Sequence, residues 1–152
     1  ESLTDAPALP ATTLSKGCYE NMFTGCKSLT NAPELPATTL AECCYLLMFD
    51  GCIALETAPI LPATTLTNEC YLYMFNNCSN LSSVTMLATD VSAGACLYYW
   101  LDNAGTSATS RTLTLKNQGV YNTIISKPDT WYYLPDNWKQ GADGTTIQYD
   151  EE

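Results

Sequence analysis

The chain has 152 residues, a length that suits one domain, with a formal net charge of −10, six basic residues and no histidine. That balance excludes nucleic acid as a partner, because such binding rests on clustered lysine and arginine, and it removes the commonest general base and metal ligand. No apolar run reaches the roughly eighteen residues of a membrane span, and no basic-then-apolar stretch opens the chain, so no signal peptide is visible.

The hexapeptide LPATTL occurs at 9–14, 35–40 and 61–66, inside a longer echo with a period of 26 residues. Leu3, Leu29, Leu55 and Leu81 keep that spacing, as do Cys18, Cys44, Cys70 and Cys96. Met22, Met48 and Met74 are followed by Trp100 in the fourth slot, and Phe23, Phe49 and Phe75 by Leu101. Cys26, Cys52 and Cys78 are followed by Ala104. A fixed period in the twenties marks stacked units that cannot fold alone. Residues 1–104 therefore read as four units and residues 105–152 as a capping segment, mostly β and loop. Glu1-Ser2-Leu3 aligns with Lys27-Ser28-Leu29, so the first unit begins in mid-repeat. The chain is expected to be the carboxyl-terminal piece of a longer array, with any signal peptide upstream. LPAT also resembles an LPxTG sorting tag, but its threefold internal placement and the lack of a following glycine and hydrophobic tail count against sorting.

In the second unit, Leu29 to Leu35 reads as a brief extended segment, with Pro33 unable to donate to a ladder. Leu29, Ala32 and Leu35 are its inward candidates. Pro36 turns the chain, and Thr38 or Thr39 caps a predicted helix from Leu40 to Asp50. At about 100° per residue, Leu40, Ala41, Cys44, Tyr45, Met48, Phe49 and Cys52 share its buried face. Gly25, Gly51, Asn77 and Asn103 occupy the slot of a left-handed helix end. In the fourth unit Thr85 replaces the proline, with Val84 and Met86 beside it, so that strand should be the best formed.

Past Ala104 the period stops. Thr112 to Leu115 alternates as a strand, 119–126 is expected to pair with it as a hairpin, and TTIQY is a last strand. Between them lie Trp131, Tyr132, Tyr133, Leu134 and Trp138. These aromatics can cap the open end of the stack, with Trp100 as their floor. Alternatively they form a sugar site, with Asp129 and Asp136 holding hydroxyls.

The cysteines have three readings. A disulfide needs Cα atoms within about 7 Å. Cys18 and Cys26 lie about 12 Å apart along a helix, and neighbouring helices pack at about 8–10 Å, too wide for the ladder of Cys44, Cys70 and Cys96. No CxxC pair suggests zinc. The periodic cysteines are expected to be small buried hydrophobes, and no metal or other cofactor is expected. Cys43 breaks the period and faces away from the predicted core, as an accessible thiol.

Two outward slots turn apolar along the chain: Glu20, Leu46, Leu72, Tyr98 and Asn21, Leu47, Tyr73, Tyr99. Leu46, Leu47, Leu72, Tyr73, Tyr98 and Tyr99 form either sideways packing or a partner surface. The strand face, with Thr30, Asn31, Glu56 and Thr57 outward, is the other candidate surface.

The runs MFTGCKSL at 22–29, MFDGCIAL at 48–55 and MFNNCSNL at 74–81 resemble the BspA-like leucine-rich-repeat surface proteins of oral and gut anaerobic bacteria, over about two thirds of the chain. The resemblance implies an α/β, right-handed leucine-rich-repeat-like solenoid with short parallel strands and one helix per repeat. It also implies export to the cell surface and adhesion to a host or bacterial surface protein or glycan, without membrane insertion. It carries no catalytic set. A phage receptor-binding or decoration protein with the same repeats is the alternative owner. An enzyme is not expected, since a glycine-rich phosphate loop and a GxSxG elbow are also missing. Paired carboxylates such as Asp129 and Asp136 leave glycoside hydrolysis as the alternative there.

Overall fold

Proline sets the strand side of each unit. Pro7, Pro33 and Pro59 bring no N–H, and the first three units make only isolated parallel bridges there, such as Asp5 with Asn31 and Thr57 with Ser83. The fourth unit carries Thr85 instead and forms a true strand, β1 (Ser83–Met86), as its sequence predicts. The computed structural model describes residues 2–151; Glu1, which opens the first unit, and Glu152, which ends the capping segment, lie outside the described residues. The architecture is mixed α/β. β1 pairs in parallel with β2 (Arg111–Leu115), and β2 with β3 (Thr145–Tyr149), while the helix α1 (Gln118–Ile125) lies between β2 and β3 in sequence.

The predicted helix over Leu40–Asp50 is not formed. Its residues make a run of overlapping turns, and the same holds in the other units. Alternate N–H groups bond locally, three residues back: Cys44 to Ala41, Leu46 to Cys43, Met48 to Tyr45 and Asp50 to Leu47. The N–H groups between them leave the unit and donate to the next one: Cys43 to Asn68, Tyr45 to Cys70, Leu47 to Leu72, Phe49 to Met74 and Gly51 to Asn76, at 2.8–3.2 Å. A helix would need the second set for its own i→i−4 bonds. The turn run instead requires a left-handed residue at every fourth position. Gly17, Asn21 and Gly25 supply it in the first unit, Cys43, Leu47 and Gly51 in the second, Glu69, Tyr73 and Asn77 in the third, and Ala95, Tyr99 and Asn103 in the fourth.

Those bonds join peptide groups into continuous columns. Gly17 N–H donates to the Glu42 carbonyl, Cys43 N–H to Asn68, and Glu69 N–H to Gly94, each link using the same peptide plane in successive units. Five such columns run through the four units. Side chains then align in register. Phe23, Phe49 and Phe75 stack with ring centroids 5.5 Å apart, and Tyr19, Tyr45 and Tyr71 at 5.9 and 6.1 Å. Met48, Met74, Leu55, Leu81 and Trp100 are fully buried beside them. Each such side chain contributes about 1.5–3 kcal/mol when withdrawn from water.

The spacing argument about the cysteines changes accordingly. Units are hydrogen-bonded directly at Cys44, Cys70 and Cys96, so that ladder is not held apart at helix-packing distance. All eight thiols are nevertheless free. Cys44, Cys52, Cys70, Cys78 and Cys96 are fully buried, and Cys52 and Cys78 donate their S–H to the Phe23 and Phe49 carbonyls of the preceding unit, at 3.2 and 3.0 Å. Cys43 is not the accessible thiol. Its left-handed backbone turns the side chain along the stack, where it is covered and hydrogen-bonded to Glu69. Cys18 is the exposed one and Cys26 is half-buried.

Two further expectations are corrected. Residues 119–126 are not a hairpin strand: Asn117 accepts the Val120 N–H and caps α1, whose Val120, Tyr121 and Ile124 are buried. The units also do not keep one register throughout. Thr57 pairs with Ser83, but Leu61 pairs with Met86, so the third unit fits one more residue into this span than β1 does. The extra residue bulges beside Pro59 and pushes Ile60 out to 59% exposure.

Backbone strain in the turn run is directly testable. Ala95 has φ of 53° and Gly51 of 72°, and a Cβ on Gly51 would meet only ordinary contacts. Ala95→Gly is expected to raise unfolding free energy by about 1 kcal/mol and Gly51→Ala to lower it by a similar amount, read by urea titration. Burial pushes the thiols of Cys44, Cys52 and Cys70 up to about 12, and Cys78 and Cys96 upward. An unfolded thiol titrates near pH 8.5. The unfolded chain therefore ionises first as pH rises, and stability present below about pH 8.5 is lost progressively toward pH 12. Cys44, Cys52 and Cys70 each add a slope of about 1.4 kcal/mol per pH unit across that window. Urea midpoints at pH 7, 9 and 10.5 should fall in that order.

Candidate ligand-binding surfaces

The outward slots that turn apolar along the chain lie on the turn side, and the left-handed backbone of one of them decides what its side chains do. Tyr73 and Tyr99 occupy that slot and stack at 4.9 Å. Tyr132, also left-handed at φ of 50°, extends the column at 4.7 Å from Tyr99. Leu47 holds the same slot one unit earlier. The column is half-buried along its length and ends in Tyr132, which is 45% exposed. The neighbouring slot behaves differently. Leu46, Leu72 and Tyr98 are all half-buried, and Tyr98 packs against the capping segment, 5.4 Å from Trp131 and 5.5 Å from Tyr133. The six residues named from sequence thus divide into an open column and a slot that runs under the cap.

The aromatics of the capping segment divide as well. Trp138 is fully buried and donates its indole N–H to the Ala104 carbonyl at 3.0 Å. Tyr133 is buried, and its carbonyl accepts the indole N–H of Trp100 at 2.5 Å. Lys127 sits 5.5 Å from the Trp131 ring centre. These three close the end of the stack, with Trp100 beneath them. Arg111 fastens the rest: it is buried among carbonyls of Gly105, Ala108, Asn137 and Asp143 and donates to each. Tyr132 alone of the four aromatics is exposed.

Beside Tyr132 lies a polar hollow of about 260 Å³, edged by Asp102, Lys127, Asp129, Asp136 and Lys139. Asp129 and Asp136 therefore share one rim. The Lys139 ammonium bonds Asp136 at 2.7 Å and holds its carboxyl below the usual range. A glycosidase acid needs the opposite, a raised pKa.

A third surface lies on the strand side, where Thr30–Pro36 and Thr57–Pro62 enclose an apolar groove of about 420 Å³. The sequence analysis marks this face through Thr30, Asn31, Glu56 and Thr57 but not the groove itself. The available signal is Glu56, a carboxylate in a slot otherwise filled by Thr4, Thr30 and Ser82. No group of cysteines and carboxylates suited to a metal occurs among the described residues, and no described helix is long and apolar enough to cross a membrane. Comparison with protein-family models, curated proteins and solved structures gave no match.

The division of the aromatics predicts separable effects. Trp138→Ala should lower stability by about 3–5 kcal/mol, as a fully buried aromatic does. Tyr132→Ala should cost less than about 1 kcal/mol, since half of the ring already meets water. Chemical denaturation of the two variants checks both.

Proposed function

We propose that this chain is a non-catalytic, exported binding module, built as a right-handed leucine-rich-repeat-like solenoid of the BspA-like kind. It binds a host or bacterial surface protein. What supports the reading is the column of Leu47, Tyr73, Tyr99 and Tyr132. Outward slots of a repeat are free to vary, and an unselected solvent face drifts polar. Here one slot turns aromatic at its last two positions, Tyr73 and Tyr99, and Tyr132 of the capping segment continues the stack into one strip, the side-chain type that dominates protein interfaces.

The test is retention of host extracellular-matrix and bacterial surface proteins on the immobilised chain. Wild type should retain a defined protein at least tenfold better than the double variant Tyr73→Ser/Tyr99→Ser. Circular dichroism should show both folded at the assay temperature. Equal retention by the two folded chains would reject this strip.

A carbohydrate partner is the second reading, favoured by Tyr132: it is 45% exposed beside a rim of carboxylates and lysines, an arrangement suited to a sugar ring and its hydroxyls. Glycan-array binding that is lost in Tyr132→Ala and kept in Tyr73→Ser would favour it over the protein strip.

A further inference from the structure

The peptide columns join all four units on the turn side, but the strand side is joined only in pairs. Units one and two are tied there by Ala6 N–H to the Asn31 carbonyl at 3.1 Å and Thr30 N–H to Thr4 at 2.9 Å. Units three and four are tied by Ala58 N–H to Ser83 at 2.9 Å and Ser82 N–H to Glu56 at 2.8 Å. The equivalent bonds between units two and three are Ala32 N–H to the Thr57 carbonyl and Glu56 N–H to the Thr30 carbonyl. Neither is made, and among the described residues these four backbone groups have no hydrogen-bond partner.

One side chain accounts for the gap. In the slot of Thr4, Thr30, Glu56 and Ser82, Thr30 Oγ1 donates to the Thr4 carbonyl at 3.2 Å and Ser82 Oγ to the Glu56 carbonyl at 3.0 Å. Each hydroxyl clips its own unit to the one before. An ionised Glu56 only accepts, so it cannot clip to the Thr30 carbonyl. The bulge at Pro59 and Ile60 adds to the separation. The apolar groove opens between these units, walled by Pro33, Pro36, Pro59 and Pro62.

We infer that this groove is a docking site for an extended peptide segment carrying lysine or arginine next to an apolar residue. The inference rests on the binding-module reading and assigns it a second surface. Unpaired donors and acceptors on both edges suit an extended backbone, which brings both. The proline walls and the exposed Ile60 suit an apolar side chain. Charge selects the rest. Glu34 is the one charged residue lining the groove, Glu56 precedes the lining residue Thr57 in the chain and itself edges the neighbouring polar hollow with Asn80 and Ser82, no basic residue lines the groove, and the net charge is −10.

The test uses the full chain and two short fluorescein-labelled peptides, one alternating lysine with valine and one alternating glutamate with valine, read by fluorescence polarisation. The lysine peptide should bind at least about tenfold more tightly. Glu56→Thr restores the clip and should close the groove, weakening the lysine peptide about tenfold or more without lowering the melting temperature. Glu20→Thr makes the same charge change outside the groove and should leave binding within about twofold. Equal binding by wild type and Glu56→Thr, equal loss in both variants, or no preference between the peptides would each overturn the inference. Retention of a surface protein through the tyrosine strip is indifferent to Glu56→Thr, so failure of the groove and failure of the binding-module reading give different results.

Discussion

Everything in the repeated part depends on the peptide columns. A backbone N–H that leaves its unit must find a carbonyl in the next one at the same slot, and it does so five times per interface. Bonds chained through the same peptide planes polarise one another, which strengthens the set beyond isolated pairs. The constant length of the turn run follows from this. Inserting one residue within the turn run would reverse the direction of every later peptide plane and break the remaining columns. The strand side has no such rule, and there the third unit carries an additional residue against β1 at the cost of one exposed isoleucine.

The same columns explain the backbone strain and the surfaces. Alternate turns need a left-handed residue, so Leu47, Tyr73 and Tyr99 adopt a conformation that costs roughly 1–2 kcal/mol apiece. Their side chains leave the surface in register and recover part of that through ring stacking, about 0.5–1.5 kcal/mol per aromatic pair. Because the turn side alone suffices to hold neighbouring units, the strand side can lose its bonds between units two and three without unstacking the chain.

Much of the core was legible in the sequence even though its secondary structure was not. The helical wheel selected Cys44, Tyr45, Met48, Phe49 and Cys52, all of which are buried. A turn run with a four-residue repeat and a helix of 3.6 residues per turn bury nearly the same positions over three turns, so apolar spacing does not separate them. The left-handed conformation was legible where the slot holds glycine or asparagine, as at Gly51 and Asn77, but one such residue per unit also fits the end of a helix. Leucine and tyrosine in that conformation give no local signal. α1 reads in sequence as a hairpin strand, although Asn117 as a cap and the spacing of Val120, Tyr121 and Ile124 fit a helix. The aromatic slots of the surface were readable by comparing units, whereas the groove required knowing which hydroxyl reaches which carbonyl across an interface.

In an ordinary parallel sheet, successive peptides point alternately to either neighbour and their dipoles cancel. Here every bond of the peptide columns points the same way, from amino to carboxyl end. Each peptide contributes about 3.5 D, so the columns add as they do in a helix and the stack acquires an electrical polarity along its axis. Its negative pole lies at the carbonyls of Lys16, Cys18, Glu20, Met22 and Thr24. Its positive pole lies at the N–H groups of Ala95, Leu97, Tyr99, Leu101 and Asn103, the end at which Tyr98 meets Trp131 and Tyr133 of the capping segment.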